Sequence, residues 1–276
     1  MSTITIAGTK PDSKAPRTAD WTDGVLPCQV TAAIRMSAPL TYHPLERLHI
    51  PRPVDRYDYV RERCRGLRVL DLGAYDETEV DRDQHASWRW LHGEIAAAAK
   101  TVLGVDASDR VRTAGEVTTS VGSRIVYGRA EDVAAIAREF APDLVVAGEL
   151  IEHTPDPLAW LSELARARPA TALLLTTPNA TAIVNLVLAF AHRESCHPDH
   201  LQVYSYKTLM TLAARIPLHA IEVRPYYYAA HIFKGRLPRP LAPLVTLADR
   251  ALLRPIQYLF PLTAFGWIVE GRLGEP

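Results

Sequence analysis

The chain has no net charge: 31 Lys and Arg residues balance 31 Asp and Glu residues over 276 positions. Nucleic acid is held mainly by clustered cations, and the basic side chains here are mostly Arg and scattered, so a nucleic-acid partner is not expected. Cysteine is scarce. Cys28, Cys64 and Cys196 are odd in number, widely spaced and lack metal-ligand spacing. That pattern argues against a disulfide framework and fits reduced thiols, so a cytoplasmic location is expected. No long unbroken apolar run is present either. The stretch 241–269 is interrupted by Asp249, Arg250, Arg254 and several prolines, so no membrane span is expected. The first residues also lack the apolar core of a signal peptide. No internal repeat is visible.

What is present alternates. Apolar runs at 67–72, 101–106, 124–128, 143–147, 172–176, 221–224 and 265–273 read as seven strands. Helical stretches at 88–100, 133–140, 157–168 and 206–215 lie between them. The expected fold is α/β: a doubly wound, mostly parallel seven-stranded sheet with helices on both faces. Residues 1–25, rich in Ser, Thr, Pro and Lys, read as a disordered tail. Residues 26–66 read as a cap segment with short helices at 43–48 and 53–64, and 67–276 as the main domain. An insertion at 226–262, rich in Tyr, Pro, Leu and Arg, reads as an amphipathic lid, the face of a homodimer or a substrate clamp, with a weak membrane-surface contact also open.

The most informative segment is Val69-Leu70-Asp71-Leu72-Gly73-Ala74. A second run, Thr101-Val102-Leu103-Gly104-Val105-Asp106, ends in an acid about thirty residues later. Strand, turn, helix, strand and terminal carboxylate make a βαβ unit suited to an adenosine-containing ligand. Glycine lets the backbone approach the ligand, and the carboxylate can accept two ribose hydroxyls. A dinucleotide turn would carry three glycines. This turn, Gly73-Ala74-Tyr75-Asp76-Glu77, carries one glycine and two acids that would repel a pyrophosphate. The acids tolerate a ligand bearing an ammonium and a sulfonium.

These residues resemble the first motif of class I S-adenosylmethionine-dependent methyltransferases, and the resemblance runs through most of 67–225. It implies S-adenosylmethionine as cofactor, S-adenosylhomocysteine as product, and an antiparallel final strand tucked between its two predecessors. It also implies cofactor contacts from Asp71, Gly73, Ala74 and Tyr75, from Asp106 and Ala107, from Glu131 or Asp132 to adenine, and from Glu149 and Leu150 beside the methionine portion. The family's usual second glycine is Tyr75 here. That departure is the one feature favouring an alternative: a cofactor-binding assembly or regulatory partner without transfer activity. Asp132 is equally suited to cap the helix at 133.

Two histidine segments are candidates for the acceptor side. His153 follows Glu149 and Glu152 at a strand tip and has a pKa suited to taking a hydroxyl proton, or it braces the loop. Cys196-His197-Pro198-Asp199-His200 supplies a base through His197 or His200, binds a divalent metal, or fixes its loop. A metal asks for a third ligand, for which His153 and Glu194 are the candidates, and no metal is assigned. The apolar stretch 180–191 lines an acceptor pocket or, more commonly for such a segment, is buried. The expected activity is methylation of a small molecule, O-directed, on a natural-product, sugar or glycan-related acceptor with a histidine base.

Overall fold

A computed structural model describes residues 45–75, 89–119, 122–227 and 247–274. The expected tail at 1–25, the acids Asp76 and Glu77, and residues 228–246 of the insertion lie outside them. Elements are numbered among the described residues. Helix α1 (Arg56–Arg63) precedes β1 (Arg68–Leu72), and α2 (Leu91–Ala98) leads to β2 (Thr101–Asp106). After α3 (Asp109–Ala114) come β3 (Glu116–Thr118), β4 (Arg124–Tyr127), α4 (Val133–Phe140) and β5 (Leu144–Gly148). Next are α5 (Pro157–Ala167), β6 (Ala172–Pro178), α6 (Ile183–Phe190) and α7 (Tyr206–Ala213). The described chain ends with β7 (Leu218–Tyr226), α8 (Arg254–Leu259) and β8 (Gly266–Leu273).

The strands form one sheet in the order β3-β4-β2-β1-β5-β6-β8-β7. From β4 to β6 every neighbour is parallel. The last strand, β8, lies between β6 and β7 and is antiparallel to both. The doubly wound α/β architecture and the antiparallel insertion agree with the sequence reading. The strand count does not: the described residues form eight strands. The extra one, β3, is a three-residue antiparallel edge strand on β4, too short to register as a periodic pattern.

Successive strand side chains face opposite layers. Leu70, Leu72, Val145, Leu173 and Trp267 pack against α4, α5 and α7. Val69, Val146, Leu174 and Ile268 pack against Val60 of α1 and Ile95 of α2. Helix α1 is also tied to β8 through Glu270, which accepts from Arg63 Nε and Nη2, each at 2.7 Å, and from the Tyr59 hydroxyl at 3.0 Å.

Local chemistry sets the helix ends. Asp156 accepts the Ala159 N–H and Pro157 opens α5, while Ser205 and Thr208 cap α7 reciprocally. Helix α2 starts at Leu91, later than expected, because Trp90 is extended and its indole N–H donates to the Ala74 carbonyl at 3.1 Å. The expected helix at 43–48 does not form over its described part, since Leu45 has φ 60 and no helix follows it. Helix α6 departs from expectation too. None of its residues is buried, and Leu186, Val187 and Phe190 are exposed.

The chain leaves β1 for β2 on one side, and β5 joins β1 on the other. The C-terminal ends of these strands therefore open a crevice, where open α/β sheets bind ligands.

Candidate active site

Gly73 turns the chain at the tip of β1 with φ +72, a left-handed conformation that glycine adopts without steric cost. Its N–H donates to the Val105 carbonyl at 2.9 Å, and Ala74 donates to the same oxygen at 3.3 Å. A Cβ at Gly73 would stand 3.5 Å from Leu150 Cδ1, so the loops after β1 and β5 close on one another. Asp106 ends β2. One of its oxygens accepts the Tyr75 N–H at 2.9 Å and the other the Ser108 N–H at 2.8 Å. Ala107 is exposed just beyond Asp106. The Tyr75 side chain packs with Trp90 against the cluster of Ala74, Val111 and Ile125.

Asp71 is 2% exposed and bonds to His92 Nδ1 at 2.8 Å, while His92 Nε2 meets Ser123 Oγ at 2.9 Å. This acid therefore supports the loop from below. Past β4, Asp132 occupies the N-cap position of α4 but makes no side-chain cap bond; it accepts the Arg129 N–H at 2.9 Å instead. Glu131 is exposed beside Arg129 at 3.5 Å.

The loop after β5 is bonded throughout. Glu149 has φ +53, a costly conformation for a residue with a Cβ. Its N–H donates to the Thr176 carbonyl at 2.9 Å. Its Oε1 accepts from the Thr176 hydroxyl at 3.0 Å and the Tyr226 hydroxyl at 2.8 Å, with Arg56 Nη1 at 3.6 Å. A single 3-10 turn, Ile151–His153, follows. The Glu152 carbonyl accepts Leu201 N–H at 2.8 Å and Gln202 N–H at 3.2 Å, and Gln202 Nε2 donates to the Thr154 carbonyl at 2.9 Å. These bonds hold the segment after His200 against the β5 loop. The ring of His153 consequently lies 4.6 Å from that of His200 and 5.8 Å from that of His197, centre to centre.

A family model for a methyltransferase domain matches residues 46–222. The chain belongs to this methyltransferase family. No curated protein matches it significantly. Among solved structures it is similar to an S-adenosylmethionine-dependent methyltransferase from Archaeoglobus fulgidus, with 14% identity, 79% of this chain and 90% of that one covered, and a TM-score of 0.43. It is also similar to one from Mesorhizobium loti, at 18% identity, 78% and 96% coverage and a TM-score of 0.41. A third is phosphoethanolamine N-methyltransferase 2 of Haemonchus contortus in complex with phosphomonomethylethanolamine and S-adenosylhomocysteine. That match has 13% identity, a TM-score of 0.41 and 80% coverage of this chain, which spans about half (53%) of the Haemonchus chain.

The methyltransferase uses S-adenosylmethionine. The residues at the crevice fit that group: Gly73 leaves the β1 tip open to close approach, and the Asp106 carboxylate sits at the β2 tip, oriented by the Tyr75 and Ser108 amides. Tyr75, where the family usually has glycine, is engaged in packing beside Trp90. Asp106→Ala is expected to weaken cofactor binding by about 1.5–3 kcal/mol, the loss of charge-assisted bonds to two hydroxyls. Calorimetric titration with S-adenosylhomocysteine measures it, and unchanged affinity in a folded variant removes Asp106 from the site.

Electrostatics separate the groups on the acceptor side. Burial, reinforced by the Glu149 carboxylate, pushes the Glu152 carboxyl up to about 8. Burial lowers His153 and His200 below the ordinary histidine value, and in His200 the neighbouring His153 adds to the effect. Both imidazoles are therefore neutral at pH 7 and able to accept a proton. Glu194 is exposed and is not part of this group. Sequence reasoning missed Arg56, Thr176 and His92, which reach the site from α1, β6 and α2. Glu152, which follows Glu149 by three residues, is brought to the same site by one 3-10 turn.

Proposed function

We propose that the methyltransferase transfers a methyl group to a hydroxyl of a small molecule, with the imidazole cluster managing the acceptor's proton. The observation behind this reading is the convergence of His153, His197 and His200 beside the β5 tip. S-adenosylmethionine, when bound, supplies an electrophilic sulfonium methyl. Displacement at that carbon needs positioning more than covalent help. The acceptor oxygen gives up its proton to the cluster and forms the new C–O bond as the C–S bond breaks, whose electron pair stays on sulfur.

On this reading Gly73, Ala74 and Tyr75 form the cofactor loop over the buried Asp71. Asp106 and Ala107 meet the ribose, Asp132 or Glu131 the adenine amino group, and Glu149 and Leu150 the methionine end. A two-acid loop following a single glycine supports a sulfonium ligand over a pyrophosphate. The exposed apolar side chains of α6 suit an acceptor with an apolar portion, such as a natural product or a substituted sugar. No helix among the described residues is long and apolar enough to cross a membrane. The reading includes a cytoplasmic, biosynthetic role on a diffusible acceptor, with 226–262 as lid or homodimer face.

The test is transfer of an isotopically labelled methyl from S-adenosylmethionine to a metabolite extract, followed by mass spectrometry of the labelled products. Label in a methyl ether is the expected result. Label on nitrogen or carbon overturns the O-directed reading.

A further inference from the structure

Glu152 is the least explained polar group of the acceptor side. It is 1% exposed. Its Oε2 accepts the Thr177 hydroxyl at 3.0 Å, but Oε1, equally buried, has no hydrogen-bond partner among the described residues. A buried carboxylate oxygen left unpaired is costly, and native structures rarely retain one without a reason. One carboxylate oxygen of Glu152, one ring nitrogen of His153 and one of His200 all lie within 4.8 Å of one another.

We propose that Glu152, His153 and His200 form a divalent-cation site at the acceptor end of the crevice. The inference rests on the hydroxyl-directed reading above and gives the acceptor's proton a different route, through a cation in place of an imidazole base. Two imidazoles and one carboxylate are a donor set for Zn²⁺ and its first-row neighbours, and three protein ligands leave coordination open for a substrate oxygen. Ligands about 2.0–2.2 Å from a cation stand closer together than these donors do, so modest side-chain rotation completes the site. Thr177 fixes the Glu152 side chain, and the Leu201 and Gln202 amides tie its backbone to the loop carrying His200. Supports of this kind orient metal ligands. A cation here satisfies the orphaned Oε1 and offsets the nearby Glu149 charge. It also acidifies a hydroxyl bound to it, so that the proton leaves to water and the imidazoles need not take it.

The test uses the full chain, freed of any affinity tag and stripped with a chelator. Zn²⁺ is titrated by calorimetry and Co²⁺ by visible absorption. One tight equivalent is expected, weakened by more than about a hundredfold in His153→Ala and His200→Ala and at least about tenfold in Glu152→Gln. His219→Ala, on β7, is expected to bind as wild type does. Stabilisation by S-adenosylhomocysteine confirms that each variant is folded. Absence of a tight equivalent, or one indifferent to these substitutions, overturns the site. If no cation binds while His153→Ala still loses turnover, the base reading stands and the metal site falls. If the cation binds as expected but label appears on nitrogen, the metal site stands and the hydroxyl reading falls.

Discussion

His153→Ala and His200→Ala are each expected to cut turnover by about a hundred- to ten-thousand-fold, the usual cost of losing the group that handles a reacting proton. Affinity for S-adenosylhomocysteine should stay within about twofold, because an effect confined to the transition state leaves ground-state binding alone. The two rings stand 4.6 Å apart with an 81° interplanar angle and act within one cluster, so the double variant should lose little more than either single one. His197 is exposed beside Asp199 and sits farther from His153, so His197→Ala should lose less. Single-turnover rates with the acceptor found in the labelling experiment measure this. Near-normal rates in both His153→Ala and His200→Ala would make the histidines scaffolding and leave catalysis to positioning alone.

Asp71→Ala should produce the largest loss of stability, about 1–3 kcal/mol, the cost of leaving the buried His92 Nδ1–H without its acceptor. The Asp71 carboxylate and the His92 ring are almost wholly buried, and His92 bridges from Asp71 to Ser123. Because a carboxylate only accepts, it fixes the His92 proton on Nδ1 and leaves Nε2 to accept the Ser123 hydroxyl. This chain joins β1, α2 and the turn before β4 beneath the Gly73 loop. Asp71→Asn retains an acceptor for Nδ1–H and should lose less than Asp71→Ala. Denaturant midpoints at constant slope give the comparison. If Asp71→Ala unfolds at the wild-type midpoint, the acid is not a structural support, and direct ligand contact becomes its better explanation.

The two predictions divide the first motif from the histidine cluster, and the division follows from burial. A family motif places Asp71 at the cofactor loop, and the strand period turns its side chain into the protein interior, where it bonds to His92. Asp106 occupies the end of its strand, where the next residues leave the sheet and their amides meet its carboxylate. Two acids that look alike in sequence thus have different partners.

The sequence by itself determined the alternation of strands and helices, the βαβ unit and the positions of Gly73 and Asp106. These are local: apolar runs of strand length, a glycine where φ is positive, and an acid at a strand tip. It also placed the histidines on two loops. Only the tertiary structure decided that those loops meet. The link is a set of backbone bonds from Leu201 and Gln202 to the Glu152 carbonyl, and backbone bonds leave no trace in side-chain pattern. The edge strand β3 was hidden for want of length. The exposure of α6 was hidden because an apolar helix reads the same whether the surrounding fold covers it or leaves it bare. Arg56 and Tyr226, 170 positions apart, converge on Glu149 because α1 and β7 flank the same end of the sheet, and chain separation carries no information about that.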